Sequence, residues 1–169
     1  MLKIPKDTII SGFAGIGKTT ASSRFSNVLD LESSFYFFSL DKGISNTEVE
    51  RLKGSKSRVL NPNGLDDYIQ AILQNKDKYD YVLIAMFPSL LSTLAERGID
   101  VQVVLPHQSD KLEYVRRYET RGNSSDWVSS MESRWDEYLE FNQSHNPFAS
   151  TPIVLHKGEY LSNIIYGEF

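Results

Sequence analysis

The 169-residue chain contains no cysteine. This absence excludes disulfide bonds, thiol redox catalysis and thiolate metal sites. No apolar run approaches the ~20 residues that a membrane-spanning helix needs. Residues 1–6 hold lysine and proline without the apolar core of a signal peptide. We therefore expect a cytoplasmic protein that does not associate with a membrane.

The chain also lacks a large excess of charge of either sign. It has 18 Lys and Arg against 22 Asp and Glu, a formal net charge of -4, so no overall basic field favours nucleic-acid binding. Its 40% hydrophobic and 24% charged residues are ordinary for a globular fold with a substantial core. The length predicts one domain over residues 1–169, either a monomer or a homodimer.

A glycine-rich segment near the start carries the strongest functional signal. Residues 12–19 read GFAGIGKT and fit the phosphate-loop pattern G-x-x-x-x-G-K-[ST]. Such glycines let successive backbone N–H groups form an anion nest, to which the next helix adds its positive N-terminal end. Lys18 can reach the β- and γ-phosphates of ATP, and the Thr19 hydroxyl can ligate Mg²⁺. The predicted nucleotide contacts are Gly12, Ala14, Gly15, Ile16, Gly17, Lys18, Thr19 and Thr20.

The surroundings of this motif agree with it. A β-branched run at residues 7–10 predicts a strand before the loop, and residues 18–25 predict a helix after it. The alternative is a glycine turn that binds nothing. The order of strand, loop and helix favours the phosphate loop.

Hydrophobic patterns beyond the loop predict strands that alternate with helices. Further strands are predicted at 27–31, 81–86, 100–105 and 152–155. Further helices are predicted at 65–73, 88–97, 110–120 and 125–141, with a polar surface segment at 41–58 and a tail from Tyr160. This alternation indicates an α/β fold with a mainly parallel, doubly wound sheet. Ligands in such sheets bind at the carboxyl ends of the strands.

Acidic residues follow the second predicted strand, at the edge where ligands are expected. A carboxylate of Asp30 could ligate Mg²⁺, or accept a proton from an attacking hydroxyl, and we predict catalytic, metal-binding and substrate-binding roles for it. Glu32 and Ser33 are predicted to bind the substrate. The alternative is a helix cap, because Asp and Ser are common there.

A basic cluster lies in the predicted helix 110–120 and just after it. Arg117 and Arg121 are four residues apart and share a helix face, whereas Arg116 points elsewhere. Phosphoryl transfer needs cations around the transferring group, and arginine supplies planar, permanently charged donors. We predict catalytic roles for Arg117 and Arg121, with Arg134 a weaker candidate. The alternative is a solvated helix face paired with nearby glutamates.

One expected acid is missing. Many P-loop proteins end the third strand with an aspartate for the Mg²⁺ shell, but this strand ends Ile84-Ala85-Met86. A GTPase or motor-type ATPase is therefore less favoured. The metal would depend on Thr19, Asp30, phosphate oxygens and water.

Three segments together resemble the P-loop nucleoside and nucleotide kinases, such as the adenylate and shikimate kinases. They are residues 12–19, DLESS at 30–34 and RYETRGN at 117–123, and together they more closely resemble small phage-type nucleotide kinases. The resemblance implies a three-layer P-loop NTPase fold, with a five-stranded parallel sheet in the order 2-3-1-4-5 and a helical lid at 110–141. It also implies that lid arginines contact phosphates and that the acceptor binds near Asp30 and Glu32.

These observations predict a kinase that moves the γ-phosphoryl group of Mg·ATP to a small acceptor, a nucleoside monophosphate or a nucleoside. A non-catalytic ATP- or GTP-binding module is an alternative that the missing strand-three acid favours. A kinase of polynucleotide ends is another, supported by Lys53, Lys56 and Arg58 but opposed by the negative net charge. The identity of the acceptor depends on pocket groups that the fold places.

Overall fold

Five short strands pair in parallel to form one sheet. The computed structural model describes residues 3–38 and 59–166, so the predicted segment 41–58 and its basic patch lie outside the described residues. The strands are β1 (Thr8–Gly12), β2 (Val28–Asp30), β3 (Tyr81–Ile84), β4 (Gln102–Pro106) and β5 (Ile153–Leu155). Their order is β2-β3-β1-β4-β5, and every pairing is parallel. The predicted strand order is confirmed.

Helices cover both faces of this sheet. Those among the described residues are α1 (Lys18–Arg24), α2 (Ser34–Phe37), α3 (Gly64–Asn75), α4 (Pro88–Glu96), α5 (Lys111–Thr120), α6 (Ser125–Ser133), α7 (Trp135–Ser144) and α8 (Leu161–Tyr166). One hydrophobic cluster joins the sheet to α3 and α4, and a second joins it to α1 and α5–α8. The chain therefore forms three layers.

Alternation along the strands explains why both faces are apolar. Successive side chains of a strand point to opposite faces, and accordingly Ile9 and Val82 join one cluster while Ile10 and Leu83 join the other. A strand buried on both sides needs a continuous apolar run. Tyr81–Ile84 is such a run, and all four of its residues are buried.

The pairing register brings the candidate residues to one edge of the sheet. Gly12, which ends β1, lies beside Val104 of β4, and Asp30, which ends β2, lies beside Leu83 of β3. The carboxyl ends of these strands therefore meet, as expected for a ligand edge. In the two described stretches, no helix is long and apolar enough to cross a membrane.

Two details differ from the sequence-based expectations. The single helix predicted at 125–141 is wrong, because α6 ends at Ser133 and α7 begins at Trp135, with Arg134 between them at φ -105° and ψ 13°. The break lets the Trp135 indole enter the core, where Nε1 donates to the Gln108 carbonyl at 2.9 Å. The predicted tail contains α8, whose apolar residues are buried against the sheet.

Candidate phosphate-binding site

The glycine-rich loop lies between the end of β1 and the start of α1. Gly15 has φ +88° and Gly17 has φ +97°, a left-handed conformation that glycine adopts without the steric penalty of a Cβ atom. Tyr114 and Tyr118 crowd Gly15, and Tyr160 lies against Gly17. Glycine is therefore required at both positions, for its backbone conformation and for space.

Lys18, the first residue of α1, folds back over the loop. Its Nζ donates to the carbonyl oxygens of Gly12 at 2.7 Å and Phe13 at 3.2 Å. The side chain is half-buried and lies at the wall of the cleft. Its ammonium group is thus held beside the loop, where a phosphate group would need a cation.

Thr19 and Asp30 bring two oxygens together beside the loop. The Thr19 hydroxyl donates to Oδ2 of Asp30 at 3.1 Å. Hydroxyl and carboxylate oxygens are the ligand type that Mg²⁺ prefers, and this ion keeps several water or phosphate ligands. The described residues contain no group of three or more His, Cys, Asp or Glu that could hold a metal. The pair therefore fits a Mg²⁺ ion that completes its shell with water and phosphate oxygens.

Glu32 and Ser33 also line the cleft, just beyond Asp30. Oε1 of Glu32 accepts a hydrogen bond from the backbone N–H of Ser34 at 3.1 Å, at the first residue of α2. Ser33 precedes that helix and makes no side-chain cap bond. The sequence suggested a helix cap by Asp or Ser at this point, and in the structure Glu32 makes the capping bond to α2 instead.

The end of β3 is joined to its neighbours through the backbone of Ala85. The Ser11 hydroxyl donates to the Ala85 carbonyl at 2.8 Å, and the Ala85 N–H donates to the Tyr68 hydroxyl at 3.0 Å. That hydroxyl donates in turn to the Leu31 carbonyl at 2.6 Å. Burial raises the pKa of Tyr68 well above its usual value, so it stays a neutral donor. The sequence showed Tyr68 only as an apolar helix position and not as this link.

Arg117 reaches the loop from α5, but protein groups surround its guanidinium. Nη1 donates to the Gly15 carbonyl at 2.9 Å. Nη2 donates to the Glu159 carbonyl at 3.1 Å and pairs with the carboxylate of Glu113. The rings of Tyr114 and Tyr160 lie 4.4 Å and 3.9 Å from its Cζ. Only 9% of the side chain is exposed.

Three further arginines line the cleft, namely Arg116, Arg121 and Arg134. Arg121 directly follows α5 and is half-buried. Arg116 was expected to point elsewhere, yet it lies on the cleft wall because two rows of α5 face the cleft, one through Arg116 and one through Arg117. Arg134 also pairs with Glu137 at 2.8 Å.

These groups border one large cleft of about 1630 Å³. Single ligands usually occupy roughly 300–1,000 Å³, so the cleft has room for two small molecules. Its apolar lining includes several aromatic and sulfur-containing side chains, namely Met86, Phe87, Trp127, Met131, Tyr138 and Phe141. Trp135, the other tryptophan, is instead buried in the core.

Comparison with known proteins leaves the kinase resemblance untested. No family model and no curated protein matches the chain. The resemblance stays a prediction from residues 12–19, 30–34 and 117–123. Function must therefore be inferred from the geometry of the loop and the cleft.

Proposed function

We propose that the protein is an ATP-dependent kinase that moves the γ-phosphoryl group of Mg·ATP to a small acceptor, a nucleoside monophosphate or a nucleoside. One observation carries this proposal. The glycine loop, the Lys18 ammonium and the Thr19–Asp30 oxygen pair all border one cleft that is large enough for two ligands. A phosphoryl donor and its acceptor need this arrangement, because catalysis of phosphoryl transfer is mainly positioning and charge stabilisation.

The loop side of the cleft binds the donor. The loop amides and the N-terminal end of α1 attract phosphate oxygens, and Lys18 adds a full positive charge. Thr19 and Asp30 hold Mg²⁺, which neutralises phosphate charge when it is bound. The chain's own task here is to fix the phosphates in one orientation.

The acceptor side begins at Asp30, Glu32 and Ser33. The oxygens of these side chains suit the hydroxyl groups of a ribose or other polyol. Phe87 and Tyr138 also line the cleft, and aromatic rings of this kind stack on the flat face of a nucleobase. This combination favours a nucleoside or nucleotide as the acceptor over a small alcohol.

Helices α5–α7 form the lid over this cleft, and they cover the predicted lid segment 110–141 from Lys111 onward and extend three residues beyond it, to Ser144. Arg121 neutralises charge on the transferring group as the lid closes, and Arg116 and Arg134 line the same wall. Closure excludes water that would otherwise hydrolyse ATP. A protein with these substrates acts in the cytoplasm, as a monomer or homodimer and without nucleic acid.

A release assay for ADP tests this proposal. We expect Mg·ATP to give ADP only when one acceptor is present from a panel of nucleoside monophosphates, nucleosides and shikimate-like alcohols. Lys18→Ala should abolish transfer with the fold intact. Lys76→Ala is the matched control, because Lys76 is an exposed lysine paired with Asp77 and away from the cleft. A fully active Lys18→Ala variant would refute the proposed mechanism.

A nucleotide-binding module without catalysis is the second candidate. It is favoured by the end of β3, where the sequence runs Ile84-Ala85-Met86 without an acid and both backbone groups of Ala85 are bonded to other side chains. Tight binding of Mg·ATP with no ADP release for any acceptor would establish this alternative. Strong, salt-dependent binding of an oligonucleotide would instead point to a kinase of polynucleotide ends.

A further inference from the structure

Three successive carbonyl groups of the loop each accept a hydrogen bond from outside it. The Tyr118 hydroxyl donates to the Ala14 carbonyl at 2.8 Å. Nη1 of Arg117 donates to the Gly15 carbonyl at 2.9 Å. The backbone N–H of Leu161 donates to the Ile16 carbonyl at 2.9 Å. We call these three contacts the loop clamp.

The loop clamp fixes the amides of the loop as well as its carbonyls. In a trans peptide, the C=O of one residue and the N–H of the next lie in one plane and point in opposite directions, and all described peptide bonds are trans. Donors on the carbonyls of residues 14–16 therefore turn the N–H groups of residues 15–17 to the opposite side. Successive N–H groups that point the same way are what an anion nest needs.

The donors of the loop clamp are themselves rigid. Tyr118 and Leu161 are fully buried, so both lost their conformational entropy when the core formed. The Glu113 carboxylate pairs with Arg117 and also accepts from the backbone N–H of Gly158 at 3.1 Å. This carboxylate links α5 to the segment before α8, so the two sources of donors are held together.

We infer that Tyr118 and Arg117 are positioning residues, which pre-set the loop amides for phosphate and do not contact the substrate. This inference rests on the proposed phosphate-binding role of the loop, and it changes the role that the sequence predicted for Arg117. The Tyr114 and Tyr160 rings both lie close to its guanidinium, and its terminal nitrogens donate to protein oxygens. The charge that faces the transferring phosphoryl group then comes from Arg121 and Lys18.

Tyr118→Phe tests the inference with a closely matched control. It removes one hydroxyl and keeps the ring. Tyr81→Phe is the control. The Tyr81 hydroxyl also donates to a backbone carbonyl, that of Ile4, at 2.8 Å, and Tyr81 is buried like Tyr118. Ile4 lies before β1, whereas the cleft opens at the opposite edge of the sheet. Both changes should lower stability by similar amounts.

Only Tyr118→Phe should weaken the binding of phosphate ligands. We expect the dissociation constants of Mg·ATP and Mg·pyrophosphate, measured by calorimetry, to rise about three- to ten-fold, as for one lost hydrogen bond. Both dissociation constants should rise by the same factor, because the lost hydrogen bond is in the phosphate-binding loop and not where the nucleobase of ATP binds. Amide hydrogen exchange of residues 15–17 should also become faster. Unchanged binding of both ligands, or equal weakening by Tyr81→Phe, would overturn the inference.

Arg117→Lys separates positioning from charge. Lysine keeps the positive charge but lacks the planar fork that serves two acceptors at once. A positioning role predicts that KM for ATP rises at least about tenfold while kcat and the KM for the acceptor change little. A fall in kcat with unchanged KM would instead mean that Arg117 acts on the transition state, and would refute the inference.

The binding measurements also separate this inference from the kinase proposal. They need no acceptor. A wild-type protein that binds Mg·pyrophosphate but phosphorylates nothing therefore refutes the kinase proposal, and the loop clamp is then tested by ligand binding to the Tyr118→Phe variant. Kinase activity together with normal ligand binding by Tyr118→Phe refutes the loop clamp alone. A wild-type protein that binds neither ligand refutes both.

Discussion

Replacement of Gly15 by alanine should destabilise the protein through two separate effects. The first is backbone strain, because φ at this position is +88°. The second is a steric clash. A Cβ atom on Gly15 would stand 2.8 Å from Cε1 of Tyr118 and 3.1 Å from Cδ1 of Tyr114. Both rings are fully buried, and the Tyr118 hydroxyl is bonded to the loop, so neither ring can move aside freely.

The size of each effect can be worked out separately. A left-handed backbone costs a residue with a Cβ atom roughly 1–2 kcal/mol, and extra atoms in a packed region cost about 1–3 kcal/mol. Together these effects lower the free energy of unfolding by about 2–5 kcal/mol. A loss of this size is a large part of the 5–15 kcal/mol that typically stabilises a native protein.

Gly122→Ala is the matched control for the steric effect. Gly122 has φ +83°, and no heavy atom of the described residues lies within 4 Å of the position that its Cβ would take. The strain and the loss of unfolded-state entropy are then similar in the two variants and cancel when they are compared. The difference between them isolates the clash, and should be about 1–3 kcal/mol.

Urea denaturation of the two variants measures this difference. Gly15→Ala should unfold at clearly lower urea than Gly122→Ala. It should also bind Mg·ATP more weakly, because a displaced Tyr118 ring moves its hydroxyl away from the Ala14 carbonyl. Equal losses of stability in the two variants would show that the rings yield without cost, and the packing argument at Gly15 would be wrong.

Three further predictions concern the neighbouring strand ends. Thr19→Val removes the hydroxyl beside Asp30, and should weaken Mg·ATP binding about tenfold or more while ATP binding in EDTA is unchanged, as calorimetry can measure. Tyr68→Phe leaves the Leu31 carbonyl and the Ala85 N–H without their shared partner, and should cost about 1–3 kcal/mol in urea denaturation. Burial raises the pKa of Tyr68, so the unfolded state releases this proton first, near pH ~10. The free energy of unfolding should therefore fall as the pH rises above that value. Tyr68→Phe should make this fall smaller when unfolding is measured from pH ~8 to ~11. An identical fall in the variant would show that Tyr68 is not its origin.

The loop could be predicted from sequence because its chemistry is local. Residues 12–19 carry the glycines, the lysine and the threonine at fixed spacing, and the residues on either side predict the strand and the helix. The alternation of strands and helices predicted a mainly parallel sheet, and the resemblance to known kinases implied its strand order. Neither signal depended on contacts between distant parts of the chain.

The partners of the loop could not be predicted in this way. Arg117 and Tyr118 contact residues that are 102 and 104 positions away, and no local pattern encodes such a contact. Helical spacing correctly put Arg117 and Arg121 on one row. It did not show that one of the two guanidinium groups is enclosed by Tyr114 and Tyr160.

The break between α6 and α7 was hidden for a related reason. The large apolar residues 127, 131, 135 and 138 keep helical spacing straight across it. The break depends instead on where Trp135 packs, against Phe13 at a ring-centroid distance of 5.6 Å. Helix α8 was missed because six residues give less than two turns of periodicity.

The single acid beside Thr19 bears on which acceptor the cleft would serve. If Asp30 ligates Mg²⁺, its charge is partly neutralised and it becomes a weak base. The Glu32 carboxylate already accepts a hydrogen bond from the Ser34 N–H, and this bond would have to be given up or shared for Glu32 to act as the base. A nucleoside hydroxyl carries a proton that a base must accept, whereas the phosphate of a nucleoside monophosphate is already ionised. We therefore expect monophosphates to outperform their nucleosides in the ADP-release assay, and equal rates for the two would mean that Asp30 serves as a base and not as a metal ligand.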